Sequence, residues 1–235
     1  VPTNSANRVI IIVALILPTI VTWVYFILLN GAPAALQQSA YTVGKLVQFA
    51  LPAIWIFVIQ RETHKFIRAP VWSLVVGALF GLTIAAAMAA LYFYALEPSG
   101  YLKEPIAAVR AKIQSFGASS PPIYFLLAVF YSAVHSLLEE YYWRWFVFGQ
   151  LFRVCQLPAA ILISSVGFAA HHVLVLQLYF GWLSPFTWLF TAAIIFGGVF
   201  WAWLYYASSS LAAPWLSHAI VDAVIFAIGY TMLAS

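Results

Sequence analysis

From Val9 to Leu29 the chain carries no charged side chain, and long apolar stretches return at residues 41–60, 72–96, 123–152, 158–180, 186–206 and 214–233. Each is long enough to cross a hydrocarbon core of ~30 Å as a helix. In that medium every backbone N–H and C=O needs a protein partner, so only helices or closed barrels can span it. These runs are far too long for tilted strands. The predicted fold class is therefore all-α, a polytopic membrane helical bundle of about seven or eight transmembrane helices. With 65% hydrophobic and 7% charged residues, the composition excludes an ordinary soluble domain. One integral membrane domain over residues 1–235 is expected, with spans 9–96 as a packing scaffold and 123–233 as the core that carries the polar motifs.

The formal charge of +4 rests on ten basic residues, which reads as flank anchoring and topology, with no nucleic-acid partner. Arg61, Lys65 and Arg68 form the densest basic loop and place it, with the N-terminal end and Arg8, on the cytoplasmic side. Lys103, Arg110 and Lys112 conflict with simple alternation; the stretch Ile106 to Phe116 has helical spacing and is expected at the interface. The first apolar run is too long for a cleavable signal peptide. Gly77 and Gly81, four residues apart, and the pair Gly197 and Gly198 mark places where a neighbouring helix can come close. Cys155 is the only cysteine, which excludes an intrachain disulfide and a multi-cysteine zinc site.

Against this background the polar residues inside the apolar runs stand out. Four of the five histidines (His135, His171, His172 and His218) lie within spans, as do Glu139, Glu140 and Asp222. An ionisable group in hydrocarbon costs at least ~2.5–3.5 kcal/mol, so it pairs or faces a polar cavity. All seven fall on three helices, the fourth, fifth and seventh. Glu140 and Arg144 are four residues apart and share a helix face, so they can pair. Glu139 is rotated by ~100° and faces a different neighbour. His135 lies one turn before Glu139 on that face. Phe168 and His172 share a face, and so do His218 and Asp222, whereas His171 and His172 diverge.

A carboxylate beside a histidine in a dry pocket can position and deprotonate water for attack on a carbonyl. A second histidine, steadied from the next turn, can stabilise the oxyanion. This is peptide hydrolysis without a covalent intermediate, because nothing activates the neighbouring Ser136.

The three motifs, LEEYYWR as EExxxR, FAAHH as FxxxH and HAIVD as HxxxN/D, stand in that order on successive polar helices. Together they resemble the CPBP intramembrane protease family, also called Abi, which includes CAAX-prenyl endopeptidases and bacteriocin-processing or immunity proteins. The resemblance implies catalytic roles for four residues: Glu139 activates water, His172 assists it, and His218 with Asp222 binds the oxyanion. It implies supporting roles for Glu140, Arg144 and Phe168. Two positions depart from the pattern. Trp145 stands where a glycine often follows the motif arginine, and Asp222 stands where an Asn is common. An ionised Asp222 would repel an oxyanion.

The expected function is thus an intramembrane endopeptidase acting on a peptide or protein substrate, a prenylated C-terminal tail being one candidate, within the lipid bilayer. No cofactor is expected; zinc is the weaker reading, because HExxH is absent and ligands would have to come from three helices. The alternatives from other classes are a non-catalytic immunity or assembly scaffold and a proton-coupled transporter, although the repeat symmetry common in transporters is missing. Short connections point to a prokaryotic cytoplasmic membrane.

Overall fold

A computed structural model describes residues 4–63, 67–102, 105–107, 110–111 and 120–234. His64 and Lys65 of the basic loop, Lys103, Lys112 and most of the expected interfacial helix lie outside the described residues. Seven helices are long and apolar enough to cross a membrane. They are α1 (Ser5–Leu28), α2 (Ala34–Ile59), α3 (Val71–Ser99), α4 (Pro121–Phe152), α5 (Leu157–Phe180), α6 (Pro185–Ser208) and α7 (Ala212–Met232). No strand occurs among the described residues. The chain is an all-helical, multi-pass integral membrane protein.

Boundaries follow local chemistry. α2 begins at Ala34, a full turn or more before the expected Tyr41, because Ala-Ala-Leu-Gln-Gln are all strong helix formers and Pro33 supplies a suitable entry. Pro121 opens α4, a position where its missing N–H costs nothing. α5 stops at Gly181, whose φ of +83° suits a residue without a β-carbon. The outward faces are apolar, with Phe125 69% and Leu126 68% exposed, as expected where lipid is the solvent.

The helices group into two compact units. The first comprises residues Val1–Ile67 and Tyr141–Trp203. Within it, Tyr142 is fully buried and donates its hydroxyl to the Ala14 carbonyl at 2.7 Å, fastening α4 to α1. Small residues allow close approach: a β-carbon at Gly167 would meet Leu15 Cδ2 at 2.7 Å, and one at Gly198 would meet Ser165 Cβ at 3.0 Å. Gly197, paired with Gly198 in the sequence, would meet only Trp201 of its own helix. At one end, Gln60 and Gln150 exchange hydrogen bonds of 3.2 and 3.3 Å. Beside them Arg153 donates two bonds of 2.6 Å to the Glu62 carboxylate. Those hydrogen bonds hold the Arg153 guanidinium above its ordinary pKa, against the opposing effect of burial. Cys155 donates its thiol to the Leu151 carbonyl at 3.1 Å, and burial pushes the thiol pKa up, away from nucleophilic use.

The second unit comprises Arg68–Glu140 and Leu204–Ser235. Its spine is the parallel pair α3 and α7. A β-carbon at Gly77 would lie 2.6 Å from the Ala213 carbonyl oxygen, and one at Gly81 would lie 2.8 Å from that of Ser217. The four-residue glycine spacing thus lets the two backbones touch. The first part of α4 runs antiparallel to α7. Tyr124 donates to the Phe226 carbonyl at 2.7 Å, and Trp215 Nε1 donates to the Ala133 carbonyl at 2.8 Å. Arg110, one of the charges that disturbed the sequence topology, donates to the Met232 carbonyl at 2.8 Å. A cation there complements the carbonyls left open at the end of α7.

Candidate active site

The polar residues of the second unit gather where α4 meets α7. Here α4 changes its winding. A wide π-helical segment, Phe130–His135, gives way to a tight α-helical turn, Ser136–Glu140, and then to a second π-helical segment, Tyr141–Phe148. π-turns within α-helices are frequent at functional sites. The tight turn holds both motif glutamates, Glu139 at 4% and Glu140 at 0% exposure.

His218 of α7 meets them. Its Nδ1 lies 2.8 Å from Glu140 Oε1, a hydrogen bond in which a carboxylate accepts and the imidazole donates. That bond fixes the ring and turns Nε2 the other way, where it lies 3.8 Å from Glu139 Oε2 and 3.7 Å from Asp222 Oδ1. His135 Nδ1 lies 3.9 Å from Glu139 Oε2. Three carboxylates and two imidazoles thus share one cluster, with Glu139, Glu140 and His218 buried and His135 and Asp222 half-buried, at a place where unpaired buried charges would cost several kcal/mol each.

The spacing of Glu140 and Arg144 assigns Glu140 to the arginine; the hydrogen-bond partner seen at its Oε1 is His218. Glu140 therefore does more than steady its own helix, since it orients one of the motif histidines. Ser136, beside the motif, donates its hydroxyl back to the Ser132 carbonyl at 2.5 Å, the usual local bond of a helical serine.

The remaining motif residues lie in the first unit. Arg144, 1% exposed, places its guanidinium 4.7 Å from the centre of the Phe168 ring and 5.3 Å from that of Trp201. Aromatic faces attract a desolvated cation. Phe168 also carries the His172 ring at 4.8 Å. His172 Nδ1 donates to the Phe168 carbonyl at 2.9 Å; since a carbonyl only accepts, this fixes the proton on Nδ1 and leaves Nε2 as the acceptor in the neutral ring. His171, which the helical spacing sets apart from His172, nevertheless keeps its ring 4.1 Å from that of His172, and it stacks on Trp143 with rings 6.0 Å apart and 4° from parallel. Trp145, at the family's glycine position, stacks on Tyr141 at 5.0 Å and reaches Phe57 at 6.0 Å. Trp143 and Trp201 escaped the sequence reading, because an aromatic in an apolar helix carries no signal until its partner is known.

On the outer, lipid-facing side of α4 and α7 lies an open apolar groove of about 580 Å³. Tyr124, Phe125, Val129 and Ser132 line it from α4, and Ala223 and Phe226 from α7. Ala223, the residue after Asp222 in the chain, is part of its lining.

No curated protein and no solved structure matches the chain. A family model does, described as type II CAAX prenyl endopeptidase Rce1-like, over residues 121–224. That segment runs from the start of α4 to just beyond Asp222 and contains all three motifs. The resemblance to CAAX proteases read from those motifs is thereby shown: residues 121–224 of the chain match the Rce1-like family model.

Proposed function

We propose that the protein is an intramembrane endopeptidase that hydrolyses a peptide bond with a water activated by Glu139. The carrying observation is the placement of Glu139 against the outward nitrogen of His218, at 3.8 Å, with the inward nitrogen held by Glu140. The water oxygen bonds to the scissile carbonyl carbon while Glu139 takes its proton. The carbonyl oxygen becomes an oxyanion, and His218 donates to it from Nε2. Donation from both ring nitrogens requires imidazolium, for which neighbouring carboxylates are suitable counterions. When the C–N bond breaks, Glu139 returns its proton to the leaving nitrogen, so the step balances. His172 enters through its motif: a ring whose Nδ1 is committed to the Phe168 carbonyl offers Nε2 to accept a hydrogen bond from the water. Phe168 and Arg144 support it.

For the substrate we propose a peptide or protein with an apolar tail, a prenylated CAAX end being the specific candidate. The family's description and the apolar groove lined in part by Ala223 both support it. No cofactor is invoked. The proposed location is a prokaryotic cytoplasmic membrane, on the strength of the short connections alone.

The test is cleavage of a farnesylated fluorogenic peptide ending in a CAAX sequence by detergent-purified protein. Wild type should cut it, and Glu139→Gln, His172→Ala and His218→Ala should fold but not cut it. Wild-type turnover by Glu139→Gln would overturn the mechanism.

A further inference from the structure

α7 winds as a regular α-helix throughout, and its two sides meet different neighbours. Ala213, Ser217 and Ile220 share one face, while Trp215, His218 and Asp222 share another on roughly the opposite side. The second face meets α4. Trp215 Nε1 donates to the Ala133 carbonyl at 2.8 Å, and His218 Nδ1 reaches Glu140 Oε1 at 2.8 Å. The first face meets α3 at Gly77 and Gly81, both buried. A β-carbon at Gly77 would lie 2.6 Å from the Ala213 carbonyl oxygen. One at Gly81 would lie 2.8 Å from the Ser217 carbonyl oxygen, 3.2 Å from Ser217 Cα and 3.1 Å from Ile220 Cβ. Ser217 is fully buried and immediately precedes His218.

We propose that Gly81 is a positioning residue of the site: α3 is a backstop for α7, and its depth at Gly81 sets how far His218 stands from Glu139 and Glu140. The inference rests on the hydrolytic reading above. It reaches a helix outside the family-matched segment, since α3 spans Val71–Ser99 and the match begins at residue 121. The obstacle to a larger residue is backbone, which cannot rotate aside as a long side chain can. A methyl group at position 81 therefore has to move α7, and the push is directed toward α4. His218 is already at hydrogen-bond distance from Glu140, so there is no slack on that side. The ring must tilt or slide along the helix, and Nε2 leaves its place 3.8 Å from Glu139 Oε2. Gly77 is the internal control. Its contact is tighter, but it falls on Ala213 in the first turn of α7, ~7.5 Å of helix before His218. Gly81 touches no reacting atom.

The test compares Gly77→Ala with Gly81→Ala in detergent, by thermal unfolding and by turnover of the farnesylated CAAX peptide. If the glycines only pack, kcat follows Tm and Gly77→Ala, at the tighter contact, is the worse variant. Positioning predicts the reverse order in kcat. Gly81→Ala should lower kcat by about tenfold to a hundredfold with KM within about twofold, as when a reacting group is misplaced and binding is kept. Gly77→Ala should lower kcat by less than about threefold, whatever its Tm. A readout without substrate is the imidazole N–H proton signal of His218, assigned by its loss in His218→Ala, which reports the bond to Glu140. It should shift in Gly81→Ala and stay in place in Gly77→Ala. Ile220→Ala approaches the same contact by removing bulk, and it decides the matter should Gly81→Ala not fold. It opens a gap behind His218 and should lower kcat by about threefold to tenfold, with a moved His218 signal. Equal kcat losses in the two glycine variants, or an unmoved His218 signal in Gly81→Ala, overturn the inference. In the absence of folded Gly81→Ala, unchanged kcat or an unmoved signal in Ile220→Ala does so. With Glu139→Gln inactive, those results leave the hydrolytic reading standing. An active Glu139→Gln overturns that reading and this inference with it.

Discussion

Two polar regions answer the same problem, a carboxylate in an apolar protein, in opposite ways. At the end of the first unit, Glu62 meets Arg153 through two 2.6 Å bonds, one to each oxygen, with both side chains nearly half exposed. Charge and geometry are matched and water is at hand. In the second unit, Glu139, Glu140 and Asp222 surround His218 at 2.8 to 3.8 Å, and His218 is only 4% exposed. There three carboxylates converge on one imidazole, away from bulk water. The first arrangement is a two-bond fastening between matched charges. The second concentrates proton acceptors that a reaction can use, and the tight winding of α4 holds it together. The difference teaches that a group of ionisable side chains kept together away from water is informative, because stability alone would favour an apolar replacement.

Substitutions break or sharpen this contrast. The largest effect is expected at Glu139: replacement by Gln should lower kcat by about 10²–10⁴-fold while leaving Tm near wild type, read by peptide turnover and thermal unfolding. Glu140→Ala comes next. It strips His218 of its Nδ1 acceptor, so turnover should fall, and it should also destabilise by ~3–5 kcal/mol, the usual cost of breaking a buried pair. Only Glu140 should move both readouts strongly, and an unaltered Tm would show that its bond to His218 carries no structural weight. Arg153→Gln should cost at most ~1 kcal/mol, less at high salt, without altering turnover. Arginine with a raised pKa keeps its contribution below its ordinary pKa and loses it only as pH rises through the raised value, beyond any working range. Salt, and not pH on the alkaline side, should therefore weaken the clasp. The smallest effect is expected from exhaustive chelation, which should leave turnover unchanged; loss of activity restored by zinc would replace the metal-independent scheme.

Much of the architecture was legible before any coordinates. Seven apolar runs became seven helices, because hydropathy sums along the chain and a helix satisfies its own backbone. The three motifs were legible for a related reason: an ionisable side chain in an apolar run is expensive enough to stand out singly. The glycines at 77 and 81 announced a close contact, yet nothing in their spacing named α7 as the partner. Arg110 conflicted with simple alternation, and the spacing of the sequence did not name its partner, the Met232 carbonyl.

What only the tertiary structure decided is which partner each polar group takes. A four-residue spacing implies a shared face while a helix keeps 3.6 residues per turn, and α4 departs from that winding on both sides of its two glutamates. The spacing could set Glu140 beside Arg144, but its bond to His218 depends on how α4 crosses α7 and has no counterpart in the spacing. By itself the sequence determined that the protein spans a membrane and that acids and histidines lie within its spans, in a segment that resembles CAAX proteases. Register between helices, which depends on side-chain packing remote along the chain, determined that Glu140 orients His218 while Glu139 stands at its outward nitrogen.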